Sequence, residues 1–265
     1  MKQHLIFLKR LLQDKSESYC QPKRSDVAGI IGKSKNNIEI PFYKIGNEGR
    51  KILLIGAIHG NETGTTKLAN RLIYNLKISP IENVSFYIVP TLNVDGYLCS
   101  VKNPDYKNGG KVGRFNAENI DLNRNFPTRS FKSKSVWNTG KDYNDKTEVF
   151  CGERGASTSE VKALMDFIRK ENINYIVIFH NAGKDVTAAN DPISHKLADI
   201  FSKESGYKVF CQKSWEELGQ SGTFKEWCEE NKIHLLEIEG VNRWQSDFKN
   251  VKKALNKTFR AIGNE

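Results

Sequence analysis

The chain has 265 residues, 41 Lys and Arg against 31 Asp and Glu for a formal charge of +10, and 38% hydrophobic residues; this suits one domain spanning 1–265 that needs neither disulfides nor metal merely to fold. No run approaches the ~20 apolar residues of a membrane span, and the charge excludes little, because residues 1–60 carry +6, residues 61–240 are neutral and residues 241–265 carry +4, a solvated basic surface without a nucleic-acid motif. Cys20, Cys99, Cys151, Cys211 and Cys228 are odd in number and form no CxxC pair, so they read as reduced thiols in a cytoplasmic chain.

Leu5, Ile6, Leu8, Leu11 and Leu12 have helical spacing, which predicts a short amphipathic helix in an N-terminal extension over 1–28. Two apolar runs around Gly32, Asn36 and Asn37 predict a hairpin from Ile30 to Ile45. The chain then alternates. Lys51 to Ile58 (KILLIGAI) has the length and continuous apolar character of a strand buried on both faces, and a helix is expected over 63–76. A strand follows at Val84 to Val89, closed by Pro90. The polar stretch from Thr91 to Cys151 is expected to be irregular and to build a site, since long loops in compact domains are seldom idle. Beyond it the pattern predicts a helix over 157–170, a strand over 175–179, a helix over 194–204, a strand over 207–210, a helix over 223–231, a strand over 233–238 and a final helix over 247–262. Such alternation implies an α/β fold, a three-layer sandwich on a mixed, largely parallel central sheet, with ligands gathering beyond the carboxyl ends of strands.

Those strand ends carry metal-ligand residue types. KILLIGAI runs into His59-Gly60-Asn61-Glu62, YIVIF into His180, and the last strand carries Glu237 and Glu239. A His and a Glu three residues apart at a strand-to-helix turn can converge on one ion, and a third ligand from another strand would complete the two-His, one-Glu composition of zinc hydrolases. By residues and spacing alone, structural histidines and a metal site stay equally open.

The long loop adds Asn93-Val94-Asp95-Gly96, Arg114 and the run Asp121-Leu122-Asn123-Arg124-Asn125-Phe126-Pro127. With these the sequence resembles the zinc carboxypeptidase family, from about Gly32 to Gly240, and among its members it is most similar to the bacterial murein peptide amidases. The segments carrying that likeness are 32–46 (GKSKNNIEIPFYKIG), 113–128 (GRFNAENIDLNRNFPT), 157–168 (STSEVKALMDFI) and 221–240 (SGTFKEWCEENKIHLLEIEG).

The resemblance implies one zinc ion per chain bound by His59, Glu62 and His180, Glu239 as general base, Arg114 as stabiliser of the developing oxyanion, and Asn123 with Arg124 as a clamp on a substrate carboxylate. Glu239 takes the base role because the family's base falls twelve residues after the tryptophan of the preceding helix, here Trp227; Glu237, where the family tends to have Thr, is assigned a supporting place. Asn93, Asp95, Asp121 and Asn125 read as residues that organise the loop, and His4, His195 and His234 as surface or packed residues.

The implied activity is hydrolysis of the γ-D-glutamyl-diaminopimelate bond of murein peptides in the cytoplasm. The partner is a small peptide with a free carboxylate, and neither nucleic acid nor membrane is expected. Two alternatives remain open from the sequence. One is a zinc deacylase resembling succinylglutamate desuccinylase and aspartoacylase, which share HGNE and DLNR. The other is a non-catalytic peptide-binding protein, whose mark would be a lost ligand or base. One departure bears on the substrate: the Tyr and Pro that murein peptide amidases carry before the glycine matching Gly222 are replaced by the stretch Leu218, Gly219, Gln220 and Ser221.

Overall fold

The structure is a computed structural model that describes residues 22–103, 105, 107, 110–139, 145–210 and 218–265. An eight-stranded mixed sheet forms its middle layer, in the order β1-β2-β4-β3-β7-β10-β8-β9. The strands are β1 (Val27–Lys33), β2 (Glu39–Ile45), β3 (Arg50–Ile55), β4 (Val84–Val89), β7 (Tyr175–Asn181), β8 (Asp185–Ala188), β9 (Lys208–Val209) and β10 (His234–Gly240). The four central strands β4, β3, β7 and β10 run parallel to one another, and β8 pairs with β9 in parallel. The β1/β2, β2/β4 and β10/β8 pairs are antiparallel.

Alternation along the central strands splits the core into two clusters, as side chains on a strand must point to opposite faces. Ile52, Leu54, Val177, Phe179, Leu236 and Ile238 face a layer made by helices α1 (Thr63–Ile78), α4 (Pro192–Ser205) and α6 (Phe248–Gly263). Leu53, Ile55, Ile176, Ile178 and Leu235 face α3 (Ser159–Glu171), α5 (Phe224–Glu230) and the α2 helix (Val94–Lys102). His180, Glu237 and Glu239 continue the second set, so the sheet face that buries apolar side chains lower down delivers three polar groups at its carboxyl edge.

Most predicted elements form within a few residues of their expected limits. The helix expected over Leu5 to Leu12 lies outside the described residues; from residue 22 on, the chain makes a 3-10 turn at Arg24–Asp26 and enters β1 at Val27. The largest difference lies in 91–151, expected to be irregular. It contains α2, capped by Asn93 through its Gly96 N–H, a 3-10 turn at Leu122–Arg124, and a separate hairpin of β5 (Lys134–Thr139) and β6 (Asp145–Phe150). The first central strand also ends earlier than its apolar run: Gly56-Ala57-Ile58 are buried but leave the sheet. A side chain at Gly56 would collide with the Pro90 carbonyl at 2.4 Å, so the chain turns tightly there between β4 and α1.

Candidate metal centre

His59 and Glu62 sit in the turn that joins β3 to α1. The Glu62 N–H donates to the His59 carbonyl (3.1 Å), and the Glu62 carbonyl accepts from the Thr65 N–H (3.0 Å) and hydroxyl (2.6 Å), so Glu62 opens the helix with its carboxylate turned back toward His59. Gly60 is needed for close packing and not for an unusual φ: a Cβ there would stand 2.2 Å from the backbone of Gly96 in α2. His180 arrives from the neighbouring β7. Its Nδ1 lies 3.2 Å from Glu62 Oε2, while His59 Nδ1 lies 2.9 Å from Glu62 Oε1.

These three donor atoms lie within 4.8 Å of one another, and all three residues are buried. Burial by itself would raise the Glu62 carboxyl, but the charges of His59 and His180 overcome it and hold the group below the usual carboxylate range. Two imidazole nitrogens turned toward one carboxylate, with a side open to the cavity described below, match the donor set that zinc takes in catalytic sites. The residues therefore fit the ion.

Asp121 contributes more than the loop organisation expected of it. Fully buried, it accepts from His59 Nε2 (3.2 Å) and the Asn123 N–H (3.0 Å) on one oxygen, and from Arg114 Nε (3.0 Å) and Nη2 (2.8 Å) on the other. Burial opposes its charge, and the Arg114 guanidinium with His59 outweighs that to keep it ionised, well below its ordinary value. A carboxylate on the far nitrogen of a ligating His fixes the ring's tautomer and orientation and raises its basicity. Sequence reasoning missed this link because Asp121 and His59 are 62 residues apart. Asn93 plays a similar part for Arg114, donating to its carbonyl at 3.0 Å.

Every residue assigned a role by resemblance lines one cavity of about 550 Å³: His59, Glu62, Arg114, Asn123, Arg124, His180, Glu237 and Glu239. Glu239 stands directly beside His180 in the β10/β7 register, and Glu237 beside Ile178, one step down the same face. Burial, and then the negative charges of Glu62, Asp185 and Glu237, outweigh the opposing effect of His180 and push the Glu239 carboxyl up to about 8. The Arg124 guanidinium is anchored by the backbone carbonyls of Val136 (Nε, 3.0 Å) and Asn123 (Nη1, 2.7 Å), and its Nη2 has no bond among the described residues. The Asn123 side-chain oxygen Oδ1 accepts from the Phe224 N–H (2.9 Å), which turns the amide nitrogen toward a ligand. Phe224 and Trp227 stack on each other and meet the Phe126 ring at a tilt, which fixes this loop on α5, so Trp227 is a buried packing residue. A Cβ at Gly222, whose φ is +66°, would stand 2.4 Å from the Arg124 carbonyl oxygen, so glycine is required where the segment before α5 passes Arg124.

Two further lining residues bear on the site: Trp137, which by sequence could be core or pocket wall, and Arg243, which sequence reasoning did not single out. Trp137 on β5 lies under the Arg114 guanidinium at 4.4 Å, and Arg243, from the turn after β10, lies over the same ring at 5.6 Å. His234 is outside the site, bonded to Asp191 (2.8 Å) at the start of α4. No helix among the described residues is long and apolar enough to cross a membrane.

Comparison with known proteins agrees with this geometry. The sequence is 25% identical over 213 residues to murein peptide amidase A of Vibrio campbellii, covering 78% of this chain and 77% of the relative. It is 35% identical over 120 residues to carboxypeptidase B2 of Rattus norvegicus, covering 44% of this chain but only 24% of that protein. The crystal structure of murein-tripeptide amidase MpaA from Escherichia coli O157 superposes with a TM-score of 0.60 at 18% identity, over 93% of this chain and 96% of the other. Thrombin-activatable fibrinolysis inhibitor superposes with a TM-score of 0.67 at 18% identity, over 91% of this chain and 69% of the other, so these two likenesses speak to the fold. The zinc carboxypeptidase family matches residues 14–256, with His59, Glu62 and His180 converging as its metal site requires, and the chain belongs to that family of zinc metallohydrolases.

Proposed function

We propose that the chain hydrolyses the amide bond between γ-D-glutamate and diaminopimelate in small murein peptides. The observation that carries this reading is the assembly, in one cavity, of the His59-Glu62-His180 triad, the Glu239 carboxylate beside it, and an Arg124 edge left open for a carboxylate. The likeness to a murein peptide amidase over more than three quarters of both chains supports the choice of substrate.

His59, Glu62 and His180 would hold the zinc, with Asp121 steadying His59. When bound, the ion supplies Lewis acidity, polarising the scissile carbonyl and acidifying water from a pKa of about 15.7 toward about 7. Glu239 takes the proton of the attacking water and delivers it to the departing amine. Its raised carboxyl suits both halves of that task, and a neighbouring cation would favour its ionised form at neutral pH. Arg114, held by Asp121 through Nε and Nη2, keeps Nη1 for the oxygen on which negative charge develops. Arg124 Nη2 and the Asn123 amide take a carboxylate of the leaving residue, which diaminopimelate offers next to the amine that departs. A cytoplasmic setting, part of the same reading, suits the unpaired thiols Cys99, Cys151 and Cys228.

A substrate panel tests the proposal. The zinc-loaded protein should release diaminopimelate from L-Ala-γ-D-Glu-diaminopimelate, and should act poorly on an α-linked peptide of similar size and on N-acylated aspartate or glutamate. Preference for the acylated amino acids would overturn the reading in favour of a deacylase.

A further inference from the structure

Arg243 makes no ion pair and no side-chain hydrogen bond among the described residues, although its Nη1 is buried and the residue lines the cavity. A guanidinium nitrogen withdrawn from water without an acceptor is costly, and such groups in native structures require an explanation. Its position is nonetheless well determined. The Arg243 carbonyl accepts from the Gly64 N–H (2.8 Å) and the Thr63 hydroxyl (3.4 Å), which ties this turn to the first residues of α1, next to Glu62. Its guanidinium rests on Trp137, the ring whose surroundings also include Arg114. Arg114 is neutralised by Asp121. Among the described residues, the cavity carboxylates Glu237 and Glu239 form no ion pair with Arg243.

We infer that Arg243 binds a carboxylate on the acyl side of the cut bond, the side opposite the one gripped by Arg124. This rests on the function proposed above and extends it to a second recognition point. Arg114, at the oxygen of the scissile carbonyl, marks where the acyl group begins, and the two guanidinium carbons are at most 10 Å apart by way of the shared ring centroid (4.4 and 5.6 Å). In a γ-linked glutamyl residue the free carboxylate carbon lies four bonds from the carbonyl carbon, about 5 Å away. With about 4 Å between a guanidinium carbon and the carbon of a group it grips, one γ-glutamyl residue can touch both arginines. Acyl residues without a carboxylate four bonds from the scissile carbonyl offer nothing to this second arginine. Arg243 thus becomes the residue that reads the glutamyl carboxylate, with Trp137 as the platform that holds its plane.

The test compares catalytic efficiency on L-Ala-γ-D-Glu-diaminopimelate with that on the analogue whose glutamyl carboxylate is a carboxamide, using zinc-loaded wild type, Arg243→Gln and Arg243→Lys. Wild type should prefer the free acid by roughly 10- to 100-fold, as befits one charge-assisted contact. Arg243→Gln should compress that ratio to near one, and Arg243→Lys should keep part of it, since an ammonium restores charge without the planar fork. Zinc content and melting temperature certify the fold of each variant. If either folded variant keeps the full ratio, or if wild type cuts both peptides equally well, the role of Arg243 is overturned while the proposed function stands. If wild type cuts neither peptide, the proposed function fails and the role of Arg243 fails with it.

Discussion

Replacing Asp121 with Asn removes one charge at the point where the metal centre and the long loop meet. The carboxylate is 0% exposed and accepts four hydrogen bonds, two on each oxygen. An amide of the same shape has one accepting oxygen, so either His59 or Arg114 loses its acceptor, and Arg114, 3% exposed, is left without a counter-charge. Breaking a buried ion pair from one side costs about 3–5 kcal/mol. At about 2–4 °C per kcal/mol for domains near this size, the melting temperature of the zinc-free protein should fall by about 6–20 °C. Loss of the carboxylate behind His59 should separately weaken zinc binding by about 10- to 100-fold. Thermal unfolding of chelator-treated protein reads the first effect, and a competition titration of zinc against a chelator reads the second. A variant that melts lower yet keeps wild-type zinc affinity would refute the orienting role of Asp121. An unchanged melting temperature would refute the reasoning about the buried pair.

The remaining predictions concern the base, the clamp and the protons at the metal centre. Glu239→Gln should retain stoichiometric zinc and lose several orders of magnitude in turnover, whereas Glu237→Gln should be much milder; steady-state kinetics with metal analysis ranks the two, and the reverse order would transfer the base role to Glu237. Arg124→Ala should lower kcat/KM by the equivalent of roughly 2–5 kcal/mol for peptides whose leaving residue has a free carboxylate, with the loss nearly absent for the carboxamide analogue. In the zinc-free protein burial opposes the His180 imidazolium, but Glu62 overrides it and raises the group to about 9 from an ordinary 6.5. The stability this contributes is complete below pH 6.5 and is lost as pH rises through 9, and Glu239, raised to about 8 from 4.5, adds a slope of the same sign from pH 4.5 upward. The melting temperature of chelator-treated protein should therefore fall between pH 6.5 and 9, while the apparent zinc affinity, which requires displacing the His180 proton, should rise over the same range.

The central layer was legible because its strands are apolar on both faces, so Leu53, Leu54, Val177 and Ile178 announce themselves without any partner in view. The hairpin β5/β6 gave no such signal. Its buried positions include Ser135 and Asn138, satisfied by contacts to Ser221 and Leu218, 86 and 80 residues away, so polarity that read as loop is polarity matched across the cavity. Strand β8, four residues long, is too short for a period to show and is defined by its pairing with β10. At the site, the residues with a local motif, His59 with Glu62 and Asn123 with Arg124, could be named in advance. Asp121 was visible as a residue but not as the partner of His59, Trp137 could be either core or pocket wall, and Arg243 was not singled out at all, because its meaning arises only where the turn after β10 meets β5 at one ring.

The claim that hydrolysis takes place at the His59-Glu62-His180 centre is tested most directly by titrating zinc into metal-free protein while following release of diaminopimelate from L-Ala-γ-D-Glu-diaminopimelate. Activity should rise in proportion to bound zinc and stop at one equivalent per chain, and His180→Ala, which removes one of three ligands, should neither hold the ion nor release product. Full activity in that variant, or release that is independent of zinc in the wild type, would contradict the account.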